Sequence, residues 1–156
     1  MAQDNSSTSG TAPVTSAATS AAILTVDLSK AAILVVDNQK AARQLLTAYL
    51  IRIGVGKVEE ANDNIEALRI LTASAKAKAP FRAVFVSRMM RDTGGLELVS
   101  SIRELPAWTD LPIVVVSEEL DVRYVKDAVT VGASDYLIRP YGEESLRNML
   151  VRLLGK

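Results

Sequence analysis

The sequence contains no cysteine and no histidine. Without cysteine there is no disulfide, no thiolate nucleophile and no sulfur-ligated zinc. Without histidine there is no Ser-His-Asp triad, no imidazole base, no histidine-bound zinc and no phosphohistidine relay. Lysine or carboxylate bases remain available, so these absences argue against an enzyme without excluding one. Aromatic residues make up only 4% of a chain that is 49% hydrophobic, so the core must be aliphatic. Charge of one sign is missing as well: 18 Lys and Arg balance 18 Asp and Glu, and no basic run stands out. That argues against nucleic-acid binding through a broad basic face. No apolar run approaches the roughly 20 residues that cross a bilayer. The N-terminus lacks the basic start and apolar centre of a signal peptide. A cytoplasmic protein without membrane insertion is expected.

What is present is regular. The 156 residues suit one domain of ordinary size. Residues 1–22 are mostly Ser, Thr and Ala and bury too little to offset ordering entropy, so residues 1–29 read as a disordered tail and an apolar lead-in. From residue 30 to 156 short aliphatic runs alternate with helical patterns. Ala32 to Val36, Ala83 to Val86 and Pro112 to Val116 read as strands buried on both faces. Lys57 to Ala61 is more polar, as an edge strand would be, and Asp135 to Ile138 forms a fifth. Between and after them, helices are expected over Gln39 to Ile53, Asn64 to Ala75, Leu96 to Leu105, Leu120 to Val131 and Gly142 to Leu154. In the second of these, Ile65, Leu68 and Leu71 are expected on one side. Trp108, in a turn near Pro106, is expected to be partly buried.

Strands alternating with helices imply a parallel sheet with helices on both faces, and a site at the carboxyl ends of the strands where strand order reverses. The residues just past those ends are Asp37-Asn38, Ser87, Ser117 and Arg139. Each is a polar group directly after an apolar run.

Several of these segments are similar to one known family. Ile33-Leu34-Val35-Val36-Asp37-Asn38 resembles the first strand and acidic pair of response-regulator receiver domains. Val58 to Asp63 followed by Glu66-Ala67-Leu68 resembles their second strand and helix. Met89 to Leu98 resembles the loop after the phosphorylated aspartate, Pro112 to Ser117 the strand ending in the switch hydroxyl, and Gly132 to Pro140 the fifth strand with its switch aromatic and lysine-proline turn. Each motif alone is weak, but five in order and register are specific. The resemblance, from about Asp27 to the C-terminus, implies a flavodoxin-like (CheY-like) α/β fold: a doubly wound five-stranded parallel sheet of order 2-1-3-4-5 with five helices. In active members the acidic pair holds Mg²⁺, a strand-end aspartate accepts a phosphoryl group from a histidine kinase, and a Ser or Thr and a Lys bind its oxygens.

The chain departs from that pattern. Ser87 stands at the phosphoacceptor position, Asn38 replaces the second acid, Arg139 the lysine and Arg91 the usual proline, and Gly94 occupies a position that is often aspartate. A serine hydroxyl cannot form an acyl phosphate and is a poor nucleophile without a base. Hard-cation affinity depends on anionic oxygens, and of the pocket set Asp37, Asn38, Ser87, Met89, Ser117 and Arg139 only Asp37 is a carboxylate. No catalytic residue and no cofactor are therefore expected, with Mg²⁺ weak or absent and Asp37 its ligand if any. Arg139 is expected to reach toward Asp37 or the Ser87 hydroxyl. Arg88 and Arg91 read as solvated charge.

A degenerate, stand-alone pseudo-receiver follows, acting through contacts with signalling proteins: a histidine kinase, a phosphotransfer protein or a downstream effector. By resemblance its contact faces are the first helix (Lys40, Arg43) and the face of the fourth helix, fifth strand and fifth helix (Tyr124, Asp127, Tyr136, Arg147), the latter also a route to a homodimer. Tyr136 is the switch aromatic, read as fixed in one rotamer. No DNA-binding segment follows Leu154, so direct transcription control is not expected. Two other readings stay open: phosphoryl or metal binding at a non-standard residue such as Asp37 or Asp92, and an arginine site for a nucleotide second messenger.

Overall fold

A computed structural model describes residues 26–90 and 94–155. The expected tail up to residue 25, together with Arg91, Asp92 and Thr93, lies outside the described residues. A short 3-10 turn at Leu28–Lys30 leads into five strands, β1 (Ala32–Val36), β2 (Lys57–Ala61), β3 (Ala83–Ser87), β4 (Ile113–Ser117) and β5 (Asp135–Ile138). They alternate with α1 (Lys40–Arg52), α2 (Asn64–Lys76), α3 (Gly95–Glu104), α4 (Val122–Val131) and α5 (Glu143–Leu154). The sheet order is β2-β1-β3-β4-β5 and every pair is parallel.

Strand pleating explains how one aliphatic run serves two cores. Side chains alternate between faces, so Ile33, Val35, Phe85, Val114 and Val116 meet Leu46 and Leu50 of α1 and Leu146 and Leu150 of α5. Leu34, Val36, Val84, Val86 and Val115 meet Leu71, Leu98, Ile102 and Ala128 on the other side. The central strands β3 and β4 are buried throughout, whereas β2 at the edge carries Lys57, Glu59 and Glu60 with partial exposure. Each fully buried Leu, Ile, Val or Phe contributes about 1.5–3 kcal/mol, so these two layers fix the sheet and with it the strand ends.

Helix boundaries follow from their caps. Asp63 accepts from Glu66 N at 2.8 Å, and Glu66 in return accepts from Asn62 N at 2.7 Å. Asp121 caps α4 by accepting from the backbone N–H groups of Arg123 and Tyr124. Gly132, at φ 112°, ends the same helix in the left-handed region.

Two expectations are corrected. Ile65 is 80% exposed: the helix packs through Ala67 and Leu71, and Ile65 lies about 200° around from Ala67. Trp108 is fully packed at 4% exposure. Its ring lies 6.4 Å from that of Phe81, and its indole N–H donates to the Leu71 carbonyl at 3.1 Å, which satisfies the polar handle that usually keeps tryptophan near the surface.

Candidate functional site

The polar residues that end the apolar runs come together at the carboxyl ends of the strands. Asp37, Ser87 and Ser117 are 3%, 4% and 3% exposed, the only charged or polar side chains buried that deeply among the described residues. Asp37 follows β1 and Arg139 follows β5. Arg139 Nη2 donates to Asp37 Oδ2 at 2.8 Å, closing a contact between residues 102 apart in sequence. The other carboxylate oxygen accepts from Gln39 N at 2.9 Å. Both oxygens of the pocket's one buried carboxylate are thus engaged. Arg139 does not bond the Ser87 hydroxyl, which instead donates to the Met89 carbonyl at 3.3 Å. Burial pushes the Tyr141 hydroxyl's pKa up and the adjacent Arg139 guanidinium pulls it back; the Tyr141 ring stands edge-on to Tyr49 at 5.6 Å.

The rest of this wall is also charge-balanced. Arg43, expected as a partner-facing residue, turns inward at 15% side-chain exposure. It donates to the Asp37 carbonyl at 2.8 Å and to Glu60 of β2 at 2.7 Å. Asn38 Oδ1, where the resemblance places a second acid, is buried without a hydrogen-bond partner. Ser117 Oγ donates to the Glu119 carbonyl at 3.1 Å and accepts from Glu119 N at 3.2 Å, forming a local turn. Between these groups lies a hollow of about 300 Å³ bordered by Gln39, Ser87, Met89, Ser117, Glu119 and Arg139. Met89 itself stands on the rim, 71% exposed.

Gly95 docks α3 against this site. A Cβ there would lie 2.3 Å from the Ser87 carbonyl oxygen, and Gly95 N donates to the Arg88 carbonyl at 3.1 Å, so the backbone approach requires glycine. A larger hollow of about 700 Å³ opens at the opposite, amino-terminal end of the sheet, near Lys30, Lys57, Arg69 and Arg82. Three of its cations face an acid, Lys30 with Asp27 at 4.0 Å, Lys57 with Glu59 at 3.6 Å and Arg69 with Glu66 at 3.7 Å, while Arg82 donates to the Leu154 carbonyl at 3.4 Å.

Arg88 is not solvated charge, contrary to the sequence reading. Its side chain is 19% exposed and its Nη2 lies 3.4 Å from Asp121 Oδ2. Its guanidinium carbon sits 4.0 Å from the centroid of the Tyr124 ring. The buried Tyr136 hydroxyl lies against the same guanidinium without a well-aligned hydrogen bond. Tyr124 and Tyr136 meet edge-on at 6.0 Å. Burial pushes the Tyr124 pKa to about 12. Both tyrosines expected on the partner face therefore turn their hydroxyls inward, leaving Asp127 and Arg147 exposed. The only sequence signal for Arg88 was its position directly beside Ser87.

An open parallel sheet of order 2-1-3-4-5 with its polar hollow beyond the strand ends defines a flavodoxin-like fold. The chain belongs to the response regulator receiver domain family, whose model matches residues 33–151. It is 30% identical over 113 residues to a chemotaxis protein CheY homolog of Campylobacter jejuni, covering 72% of this chain and 84% of the relative. It is 28% identical over 113 residues to chemotaxis protein CheY1 of Helicobacter pylori, covering 72% and 88%. The solved structure of Vibrio cholerae chemotaxis protein CheY4 superposes with a TM-score of 0.70 at 29% identity, covering 80% of this chain and 98% of that one. A response regulator structure from Chloroflexus aurantiacus, 23% identical with a TM-score of 0.72 over 81% and 98% of the two chains, shows the same fold. Membership supports a role in two-component or chemotaxis-type signalling. Among the described residues no helix is long and apolar enough to cross a membrane.

Proposed function

We propose that this receiver works as a phosphorylation-independent interaction module, a pseudo-receiver that engages signalling proteins without a phosphoryl cycle. The observation that carries this reading is the ion pair between Asp37 and Arg139. The hollow's one buried carboxylate already holds a guanidinium at 2.8 Å, and the neighbouring position offers the neutral Ser87 hydroxyl. Mg²⁺ wants several anionic oxygens; the inward donors are an amide oxygen from Asn38, one compensated carboxylate and two hydroxyls that already donate to carbonyls, with Glu118 and Glu119 exposed on the rim, a poor donor set. Mg²⁺ therefore does not fit this hollow. A second-messenger site is disfavoured too, because Arg139 is paired with Asp37 and Arg88 turns away to Asp121 and the Tyr124 ring. The exposed Met89 and Leu120, on the loops after β3 and β4, and Val122, at the start of α4, give a partner apolar surface near it.

The test is backbone amide NMR with Mg²⁺ and beryllofluoride, run beside the triple variant Asn38→Asp, Ser87→Asp, Arg139→Lys as a positive control. The natural chain is expected to show no saturable shift at Ser87, Arg88 or Ser117, while the triple variant shows one. Saturable shifts in the natural chain would overturn the reading.

A further inference from the structure

Arg88 occupies a place that neither metal nor phosphoryl binding explains. Its main chain is fixed on both sides, donating to the Val116 carbonyl at 2.8 Å and accepting from Gly95 N at 3.1 Å. Its side chain then leaves the end of β3 and crosses to α4. There it meets the Asp121 carboxylate that caps the helix and the Tyr124 face in the helix's first turn. From β5, Tyr136 completes the enclosure with a buried hydroxyl. Three separate elements are joined by one guanidinium, a planar cation suited both to stacking on an aromatic face and to carboxylate pairing.

The two tyrosine hydroxyls make this a device with two states. Both Tyr124 Oη and Tyr136 Oη are buried without an aligned hydrogen-bond partner, and a buried hydroxyl gains by moving to water. What opposes that movement at Tyr136 is the cation beside it and the Tyr124 ring that the same cation holds. We infer that Arg88 is a clamp that keeps the Tyr136 ring inward and the amino end of α4 docked, so that the α4–β5 surface is set by a side chain of the protein itself. The inference goes beyond the phosphorylation-independent reading: the clamp would stand even if the hollow retained some anion or metal binding. A ligand or partner could release α4 only by binding the outward state better than the clamped one.

The test uses the full chain labelled with 3-fluorotyrosine. Its four tyrosines give four fluorine resonances, assigned by single Tyr→Phe variants. In the natural chain Tyr136 is expected to show a single resonance with little change between H₂O and D₂O. In Arg88→Met the same resonance is expected to move and to acquire the full solvent isotope shift of an exposed fluorotyrosine. Asp121→Asn, which keeps a capping side chain but removes the ion pair, is expected to give a smaller shift in the same direction and serves if Arg88→Met does not fold. A Tyr136 resonance that keeps its buried signature in folded Arg88→Met, or in Asp121→Asn where Arg88→Met fails, would overturn the clamp. Shifts on adding Mg²⁺ and beryllofluoride to the natural chain would instead count against the phosphorylation-independent reading and leave the clamp standing.

Discussion

The hollow has two walls, and each is closed by an arginine that follows a strand. On the β1–β5 side Arg139 neutralises a buried carboxylate. On the β3–α4 side Arg88 stacks on an aromatic ring and touches a half-exposed carboxylate. The first wall is an electrostatic closure in which Asp37 and Arg139 pair directly while Arg43 bonds the Asp37 carbonyl and Glu60. The second is a mixed contact in which dispersion and cation–π attraction share the work with charge. The difference teaches that the same residue type, at equivalent strand ends, supplies charge balance on one side and bridges a helix and an aromatic ring on the other.

The comparison breaks most sharply at the first wall. Arg139→Ala leaves Asp37 buried and unpaired, and losses of about 3–5 kcal/mol are typical of such breaks. Chemical denaturation is expected to show a large drop in midpoint, while the double variant Asp37→Asn, Arg139→Met recovers most of it. If the single and double variants are equally unstable, the wall is not held by charge.

At the second wall the effect is smaller and depends on pH. Tyr124 has its pKa raised from 10.0 to about 12 by burial, so the folded chain keeps a proton that the unfolded chain sheds. Stability from this group is fully present below pH 10 and is lost as pH rises from 10 to about 12. Denaturation midpoints across that range, with Tyr124→Phe as reference, are expected to fall for the natural chain and to fall less for the variant. Equal slopes would place Tyr124 in contact with solvent and weaken the contrast. Between the walls, Ser117→Ala removes only the two local turn bonds to Glu119 and is expected to cost about 1–2 kcal/mol; a loss as large as that of Arg139→Ala would mean that the two walls are coupled through β4.

The strands and their polar endings were legible because an aliphatic run that stops at a polar residue has one plausible orientation in a parallel sheet. Asp37, Ser87, Ser117 and Arg139 converge simply because all four terminate runs at the same end. Arg88 was not legible. An arginine in a loop looks alike whether solvated or enclosed, and its partner Asp121 is 33 residues away. Arg43 was hidden for a related reason: its position on α1 suggests an outward residue, while Glu60 of the edge strand draws it in at 2.7 Å. Trp108 was misjudged because its burial depends on the Leu71 carbonyl, 37 residues distant.

Arg103 adds a third guanidinium contact at the far end of α4. It rises from α3, donates to the Gly132 carbonyl at 3.0 Å and 2.8 Å through Nε and Nη2, and reaches the Trp108 carbonyl at 3.0 Å through Nη1. With Arg88 at its start and Arg103 at its finish, α4 resembles a beam bolted at both ends. Such a beam does not fray from a free tip.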